Sequence, residues 1–165
     1  MIIVLMGVSG SGKTAVGQLL AQRLGWPFFD ADDYHPPANI AKMRGGTPLS
    51  DEDRWPWLDR LNALLHEQRG AGRDTLLGCS ALKQKYRDRL AANLDDVHWV
   101  HLKGSFELIE SRLRARRGHY MPAALLRSQF AALEEPVDAV VADISPSAEE
   151  VARTLAERFG ADQPL

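Results

Sequence analysis

Short apolar runs alternate along the chain with longer stretches in which apolar residues recur every three or four positions. Near-continuous apolarity in such short runs is typical of strands covered on both faces, as in a parallel sheet. The runs that predict strands are Ile2–Met6, Pro27–Phe29, Thr75–Cys79, Val97–Leu102 and Ala139–Ala142. The amphipathic stretches predict helices over about 13–24, 56–69, 81–92, 105–116, 122–133 and 148–159.

Two of these helices have recognisable starts. Pro56 is tolerated only early in a helix, which fits a second helix that starts at about residue 56. The acidic residues at 51–53, after Ser50, are nevertheless typical of the first turn of a helix. Ser147 and Glu150 form a capping box at the start of the last helix. Strands that alternate with helices predict right-handed βαβ units and an α/β fold. Because ligands of such folds bind at the carboxyl ends of the strands, the residues that follow each apolar run are candidates for chemistry.

Composition limits the possible functions. The chain has 165 residues, of which 45% are hydrophobic and 25% charged, as in one ordinary globular domain. A net charge of −2 gives no overall basic field for nucleic acid, and no apolar run is long enough to span a membrane. Cys79 is the single cysteine, so no intrachain disulfide can form. The first residues lack the features of a signal peptide, and the expected location is the cytoplasm.

A glycine-rich loop follows the first predicted strand and opens the first predicted helix. Residues 7–14 match the pattern G-x-x-x-x-G-K-[ST] of a P-loop. Glycines let consecutive backbone N–H groups surround a phosphate, while the helix N-terminus faces the same anion. The predicted ATP-binding residues of this loop are Gly7, Val8, Ser9, Gly10, Ser11, Gly12, Lys13 and Thr14.

Acidic residues follow the second strand, where the chain reads Asp-Ala-Asp-Asp-Tyr-His-Pro from Asp30. If the strand continues, alternation puts Asp30 and Asp32 on the same side. Beside a triphosphate, one carboxylate can hold Mg²⁺ through water, a role we assign to Asp30 together with Thr14, and the other can accept a hydroxyl proton. His35 either donates to a substrate hydroxyl or closes the turn before Pro36. The alternative for the whole segment is a solvated acidic turn that caps a helix.

The third strand ends without the aspartate that many P-loop proteins carry at this place. Mg²⁺ would therefore depend on Asp30, Thr14, phosphate and water. Ser80 and Lys83 are expected to face the active-site edge, although Lys83 also fits a surface position on a helix. Cys79 is interpreted as a small buried apolar residue and not as a reactive thiol.

Four arginines, Arg112, Arg114, Arg116 and Arg117, lie within six residues and precede Gly118. Arg112 and Arg116 share a helix face, from which they would neutralise charge on a transferring phosphoryl group. Gly118 suits the hinge of a lid over that site. The alternative is a solvated helix end that complements the helix dipole, and it is favoured for Arg114 and Arg117.

Together these motifs resemble the gluconokinases, a family of small P-loop sugar-acid kinases. The P-loop alone is shared with many kinases, whereas the later blocks are much more specific. Two departures from the family pattern, Gly78 for a larger apolar residue and Tyr120 for Phe, touch no predicted catalytic group. The match runs in order from residue 2 to about 144, and beyond the P-loop it is carried by 30–36, 39–43, 46–49, 53–58, 79–83, 86–88, 102–104, 110–113, 117–122 and 128–136.

The resemblance implies the P-loop NTPase fold of nucleoside-monophosphate and shikimate kinases, with a five-stranded parallel sheet flanked by helices and a mobile lid. It implies one kinase domain over residues 1–165, with a substrate-binding region at about 34–60 and a lid at about 112–125. The implied reaction is ATP-dependent phosphorylation of D-gluconate to 6-phospho-D-gluconate, with Mg²⁺ as cofactor. The implied assembly is a homodimer.

D-Gluconate offers one carboxylate and five hydroxyls, so its pocket needs a cation at one end and polar groups along its length. Arg54 and Lys83 are the candidate partners of the carboxylate, and the choice between them stays open. Ser80 is a further candidate for substrate binding. Asp32 and His35 are expected to orient hydroxyls, with Asp32 accepting the proton of the C6 hydroxyl during an in-line transfer.

The phosphate end of the predicted site is basic. Lys13 and Arg116 would stabilise charge on the transferred group, and Arg112 would cover the adenine or its phosphates. Residues 143–147, after the last strand, are expected to line the adenine through their backbone. Two other functions compete with gluconate phosphorylation: a kinase for shikimate or a nucleoside monophosphate, and a nucleotide-binding switch without an acceptor.

Overall fold

A parallel five-stranded sheet forms the centre of the molecule, with the strand order β2-β3-β1-β4-β5. The structure is a computed structural model that describes residues 1–116 and 122–160. The strands are β1 (Ile2–Met6), β2 (Phe28–Asp30), β3 (Thr75–Gly78), β4 (Val97–Lys103) and β5 (Ala139–Asp143). The helices are α1 (Lys13–Leu24), α2 (Pro37–Arg44), α3 (Asp51–Gly70), α4 (Gln84–Leu90), α5 (Phe106–Ala115), α6 (Ala123–Ala132) and α7 (Ala148–Gly160), with a 3₁₀ turn at Ala31–Tyr34.

The central strand β1 divides the core into two layers, because its side chains alternate between the faces of the sheet. Ile3 and Leu5 pack into the layer formed with α1, α5 and α7. Ile2, Val4 and Met6 pack into the layer formed with α3 and α4. All five side chains are fully buried, and burying each contributes about 1.5–3 kcal/mol of hydrophobic free energy. The strand before the glycine loop is thereby fixed from both sides.

The predicted strands are confirmed within one residue at each end. The prediction that the strands are covered on both faces holds for the inner strands. It was wrong for β5, which lies at the edge of the sheet and leaves Val141 60% exposed. The capping box of α7 is present, since Glu150 accepts from the Ser147 backbone N–H at 3.0 Å and Ser147 Oγ accepts from the Glu150 N–H at 3.2 Å.

The predicted start of α3 was wrong. The helix begins at Asp51 and runs through Pro56, because Ser50 and Asp53 form a capping box upstream of the proline. Ser50 Oγ accepts from the Asp53 N–H at 3.1 Å, and Asp53 accepts from the Ser50 N–H at 2.9 Å. Pro56 removes one donor from the helix ladder at a point where the long α3 is already capped and packed.

Two further helix predictions differed from the structure. α4 is shorter than the predicted 81–92, since Ala81 has a left-handed φ of 44° and Lys83 has extended backbone. α2 and the 3₁₀ turn were missed, because their few residues carry little apolar periodicity. Pro37 opens α2 at the first helical position, where its missing N–H has no helical partner to lose.

Phe28 explains the unusual glycine at the end of β3. A Cβ on Gly17 of α1 would lie 2.3 Å from the Phe28 ring, and one on Gly78 would lie 3.2 Å from it. The ring therefore occupies the space of two missing side chains, between helix and sheet. α1 packs close to β3 at the same place, since a Cβ built on Gly78 would also lie 3.7 Å from Cβ of Lys13.

Candidate active site

The loop that follows β1 is closed by its own backbone. The Gly7 N–H donates to the Ser80 carbonyl at 3.3 Å and the Ser11 N–H to the Val8 carbonyl at 3.2 Å. Gly10 and Gly12 have φ values of 79° and 97°, a conformation that side chains rarely adopt. The loop then enters α1, whose first turn points its free N–H groups at the loop.

Lys13 is held over the mouth of this loop. Its Nζ donates to the Gly7 carbonyl at 2.9 Å and to the Val8 carbonyl at 3.0 Å. Burial lowers the pKa of Lys13, and the nearby Asp32 carboxylate acts in the opposite direction. A cation, a helix N-terminus and glycine backbone together form an anion cradle, which fits the phosphates of a nucleotide.

Thr14 and Asp30 meet at the carboxyl end of β2. Thr14 Oγ1 donates to Asp30 Oδ2 at 2.8 Å, and the Asp32 backbone N–H donates to Asp30 Oδ1 at 3.0 Å. Hydroxyl and carboxylate oxygens suit Mg²⁺ when phosphate and water supply the remaining ligands. Within the described residues, no three His, Cys, Asp or Glu side chains cluster as a ready-made metal site.

Asp30 and Asp32 are neighbours for a reason other than the predicted one. The strand ends at Asp30, and Asp32 lies in the 3₁₀ turn that Asp30 caps, so the condition that the strand continues to Asp32 is not met. The Asp32 side chain is 87% exposed, although protein atoms around it still remove part of the hydration of its carboxylate. This partial desolvation first, and the Asp30 charge second, raise the pKa of Asp32, while Lys13 and His35 lower it.

His35 lies beneath this carboxylate, with its Nε2 3.9 Å from Asp32 Oδ1. Its ring stacks on Trp57 at a centroid distance of 4.2 Å and an interplanar angle of 15°. Trp57 is itself fixed, since its indole N–H donates to the Ala31 carbonyl at 2.7 Å. Burial lowers the pKa of His35, which favours the neutral imidazole at pH 7. Asn39, a residue without an assigned role in the sequence analysis, lies 3.3 Å from His35 Nδ1.

The two predicted acceptor cations lie on different elements, Arg54 in the first turns of α3 and Lys83 just before α4. Arg54 donates to the Leu49 carbonyl at 2.5 Å and places its guanidinium 5.2 Å from the centre of the Tyr86 ring. Its charge also lowers the pKa of His35, so Arg54 belongs to the same electrostatic environment. Lys83 stands at the start of α4, and its charge lowers the pKa of Asp51, after larger effects from Lys85 and Tyr86. The charge of Arg54 thus acts on His35, whereas the charge of Lys83 acts on Asp51.

Two of the clustered arginines reach the nucleotide side. Arg112 Nη2 donates to the carbonyls of Ser145 and Pro146 at 3.3 and 3.4 Å, which ties α5 to the segment expected to line the adenine. Arg116 ends α5, is exposed, and lowers the pKa of Lys13 through its charge. Arg114 pairs with Glu110 at 3.1 Å on the helix surface, as its alternative interpretation predicted. Arg117 and Gly118 lie outside the described residues.

Gln129 of α6 is a site residue that sequence reasoning did not single out. Its Oε1 accepts from the Ser9 backbone N–H at 2.7 Å, and its Nε2 donates to Ser9 Oγ at 3.1 Å. One side chain thus holds the P-loop to the helix that follows the predicted lid. The only sequence signal was its place within the 128–136 segment of the family resemblance.

Cys79 has no chemical role in this arrangement. The thiol is buried between the sheet and α3, and burial raises its pKa to about 12. The interpretation as a small apolar residue is confirmed.

Comparison with known proteins gives one consistent result. The model of the AAA domain family matches residues 2–139. The chain is 49% identical over 152 residues to a probable gluconokinase of Xenopus tropicalis, covering 82% of this chain and 80% of that one. The structure of a gluconokinase from Sinorhizobium meliloti is similar at a TM-score of 0.81 and 40% identity, over 98% and 97% of the two chains. An unliganded sugar kinase from Janibacter has a TM-score of 0.88 and 43% identity, over 98% and 95%.

The fold itself extends to more distant kinases. Shikimate kinase of Aquifex aeolicus shares it at a TM-score of 0.63 and 18% identity, over 98% of each chain, and at that identity the likeness is one of architecture alone. The predicted five-stranded P-loop kinase fold is confirmed. Within residues 1–116 and 122–160, no helix is both long and apolar enough to cross a membrane.

Proposed function

This chain belongs to the gluconokinase family, and we propose that it transfers the γ-phosphoryl group of ATP to the C6 hydroxyl of D-gluconate. The single observation that supports this reaction most is the position of the Asp32 carboxylate. It stands beside the Thr14–Asp30 pair and close enough to Lys13 for each charge to shift the other's pKa. An acceptor hydroxyl at Asp32 would therefore face the end of a triphosphate held by the loop.

Asp32 accepts the hydroxyl proton as the C6 oxygen bonds to the γ-phosphorus. The bond between that phosphorus and the β–γ bridging oxygen breaks, and ADP leaves with the electron pair. The raised pKa of Asp32 makes its carboxylate a better base than an ordinary aspartate. Asp30 is less suited to this role, because its two oxygens already accept from Thr14 and from the Asp32 N–H.

The residues proposed to bind the acceptor are His35, Arg54, Ser80 and Lys83. Of the two candidate cations, Arg54 is favoured for the gluconate carboxylate or a neighbouring hydroxyl, since its charge acts on His35. The fork of an arginine also suits a carboxylate better than the point charge of a lysine.

The nucleotide lies across residues 7–14, with Lys13 on its terminal phosphates. Arg116 adds positive charge at the same end, and Arg112 borders the adenine together with the carbonyls of 145–146. Thr14 and Asp30 would hold Mg²⁺, which supplies neutralisation of phosphate charge when bound. Residues 112–125 are proposed as the lid that closes over these groups. The proposed form of the enzyme is a cytoplasmic homodimer of single kinase domains.

The test is ADP release from Mg·ATP with one acceptor at a time: D-gluconate, shikimate, AMP, CMP, glucose and none. Rapid turnover with D-gluconate alone is the expected result. Turnover with another acceptor instead would move the function to that class, and ATP binding without any turnover would indicate a nucleotide switch.

The role of Asp32 has its own variant. Asp32→Asn keeps the size of the side chain and removes the base, so kcat should fall by about 10²–10⁴-fold while the Kd for ATP changes little. Asp33→Asn is the matched control on the same turn, and it should keep the wild-type kcat. A wild-type kcat in Asp32→Asn would remove Asp32 as the base.

A further inference from the structure

Asn39 is a residue of α2, and only 3% of its surface is exposed. Its Nδ2 donates to the backbone carbonyl of Asp53 at 2.9 Å and lies 3.3 Å from Nδ1 of His35. One buried amide therefore bridges the start of α3 and the histidine beneath Asp32. No step of the reaction above uses it.

The chemistry of these contacts determines which way the amide faces. A backbone carbonyl only accepts hydrogen bonds, so the Asn39 atom that faces Asp53 must be the nitrogen. The same nitrogen carries a second hydrogen, and its other neighbour is His35 Nδ1. Nδ1 must then be the accepting, unprotonated nitrogen of the ring. In a neutral imidazole the proton is left on Nε2.

That proton points toward the reacting side of the site. Nε2 is the ring atom that lies 3.9 Å from Asp32 Oδ1, and the stacked Trp57 ring fixes the plane of the imidazole. The gap is too long for a direct hydrogen bond. One oxygen atom can, however, lie roughly 2.8 Å from Nε2 and from Oδ1 at the same time, which is an ordinary hydrogen-bond distance to each.

We propose that Asn39 is a positioning residue that keeps the His35 proton on Nε2, so that His35 donates to the acceptor hydroxyl whose own proton goes to Asp32. The inference rests on the proposed function, because it concerns the hydroxyl that is phosphorylated. A group held in this way must both accept and donate, as a hydroxyl does. A carbonyl, an ether or a carboxylate oxygen cannot do so. His35 as donor and Asp32 as acceptor thereby select a hydroxyl as the reacting group, by the polarity of its hydrogen bonds as well as by shape.

The first test observes the tautomer directly and needs no substrate. In ¹⁵N-detected NMR of the histidine-labelled protein at pH 7, with His35→Ala used to assign the signal, His35 should show a protonated Nε2 and an unprotonated Nδ1. Asn39→Ala should give a mixture of tautomers. Asn39→Asp places an acceptor at Nδ1 and should move the proton there or charge the ring. A wild-type His35 protonated on Nδ1 would overturn the inference.

The second test asks whether Asn39 acts through His35. Asn39→Ala should lower kcat by about tenfold to a hundredfold with little change in the KM for ATP, since a small displacement of a positioning group has effects of this size. In a His35→Ala background, the same substitution should lower kcat no further. Equal losses in both backgrounds would show that Asn39 acts elsewhere and would overturn the inference.

A matched control separates positioning from general loosening of the two helices. Lys42 of α2 also reaches Asp53 of α3, through its side chain at 2.8 Å, and it does not contact His35. Lys42→Met should therefore keep the wild-type tautomer of His35, with thermal melts run on every variant. If Lys42→Met changed the tautomer as much as Asn39→Ala does, the effect would be structural and the inference wrong.

The proposal about the His35 tautomer and the proposed function can be refuted independently of each other. If D-gluconate is not phosphorylated while His35 carries its proton on Nε2, the proposed function is wrong and the polarity of the Asn39–His35 contact stands. If D-gluconate is phosphorylated and the proton lies on Nδ1, the function stands and the role of Asn39 is wrong.

Discussion

Substitution of Gly10 in the P-loop should lower the stability of this protein, because two separate effects act on this position. Its φ of 79° is strained for any residue with a Cβ. A Cβ built at this position would also lie 2.6 Å from Cγ and 2.8 Å from Cδ2 of Leu113, which is buried in α5. Gly10→Ala therefore pushes the loop away from the helix that carries Arg112 and Arg116.

The two effects can be estimated and separated. A left-handed conformation costs an alanine about 1–2 kcal/mol. Forcing an extra methyl into a packed core costs about 1–3 kcal/mol more. Gly10→Ala should thus lower the free energy of unfolding by about 2–5 kcal/mol. Gly25 at the end of α1 has nearly the same φ, 73°, and a Cβ added there would meet no atom within 4 Å, so Gly25→Ala should show only the first effect.

The assay is urea unfolding of Gly10→Ala, Gly25→Ala, Leu113→Ala and Gly10→Ala/Leu113→Ala, with stability taken by linear extrapolation. Leu113→Ala removes the atoms that the new methyl would meet. In that background, Gly10→Ala should cost no more than Gly25→Ala does in the wild type, a coupling of about 1–3 kcal/mol. Equal losses for Gly10→Ala and Gly25→Ala, or additive effects in the double variant, would refute the steric argument.

Three other predictions concern charges and thiols. Hydrogen bonds from Lys42 lower the pKa of Asp53 to about 2, so this pairing stabilises the fold above pH 4 and is lost as the pH falls toward 2. Asp53→Asn should flatten the pH dependence of Tm over that interval, and an unchanged slope would contradict it. Cys79, with its pKa raised to about 12, should not react with a disulfide reagent at pH 8 until urea unfolds the chain, and rapid labelling of the native protein would contradict its burial. Gln129→Glu keeps an acceptor for the Ser9 N–H but adds a negative charge beside the phosphate cradle, so the KM for ATP should rise about tenfold at an unchanged KM for D-gluconate. An unchanged KM for ATP would place the phosphates away from this side chain.

Sequence reasoning succeeded where a single physical requirement acts on consecutive residues. The buried strands and the glycine loop are such cases, since continuous apolarity and the spacing of Gly7, Gly12 and Lys13 each have few structural explanations. It failed at the start of α3 because the rule about Pro56 was given more weight than the capping signal of Ser50 and Asp53, which lies upstream of the proline. Residues such as Gln129 and Asn39 act across 120 and 14 positions of sequence, and no local pattern marks such contacts.

The pair Asp30 and Asp32 shows what the structure adds to a correct motif. The sequence analysis assigns Asp30 to the metal and Asp32 to the proton, but it names no contact that distinguishes the two carboxylates. In the fold, the oxygens of Asp30 accept from the Thr14 hydroxyl and from the N–H of Asp32, which ties Asp30 to the metal side of the loop. Asp32 receives no such bonds from the residues that the structure describes, and desolvation first and the charge of Asp30 second raise its pKa. The first aspartate thus adds to the basicity of the second and also holds its backbone in place through the hydrogen bond from the Asp32 N–H.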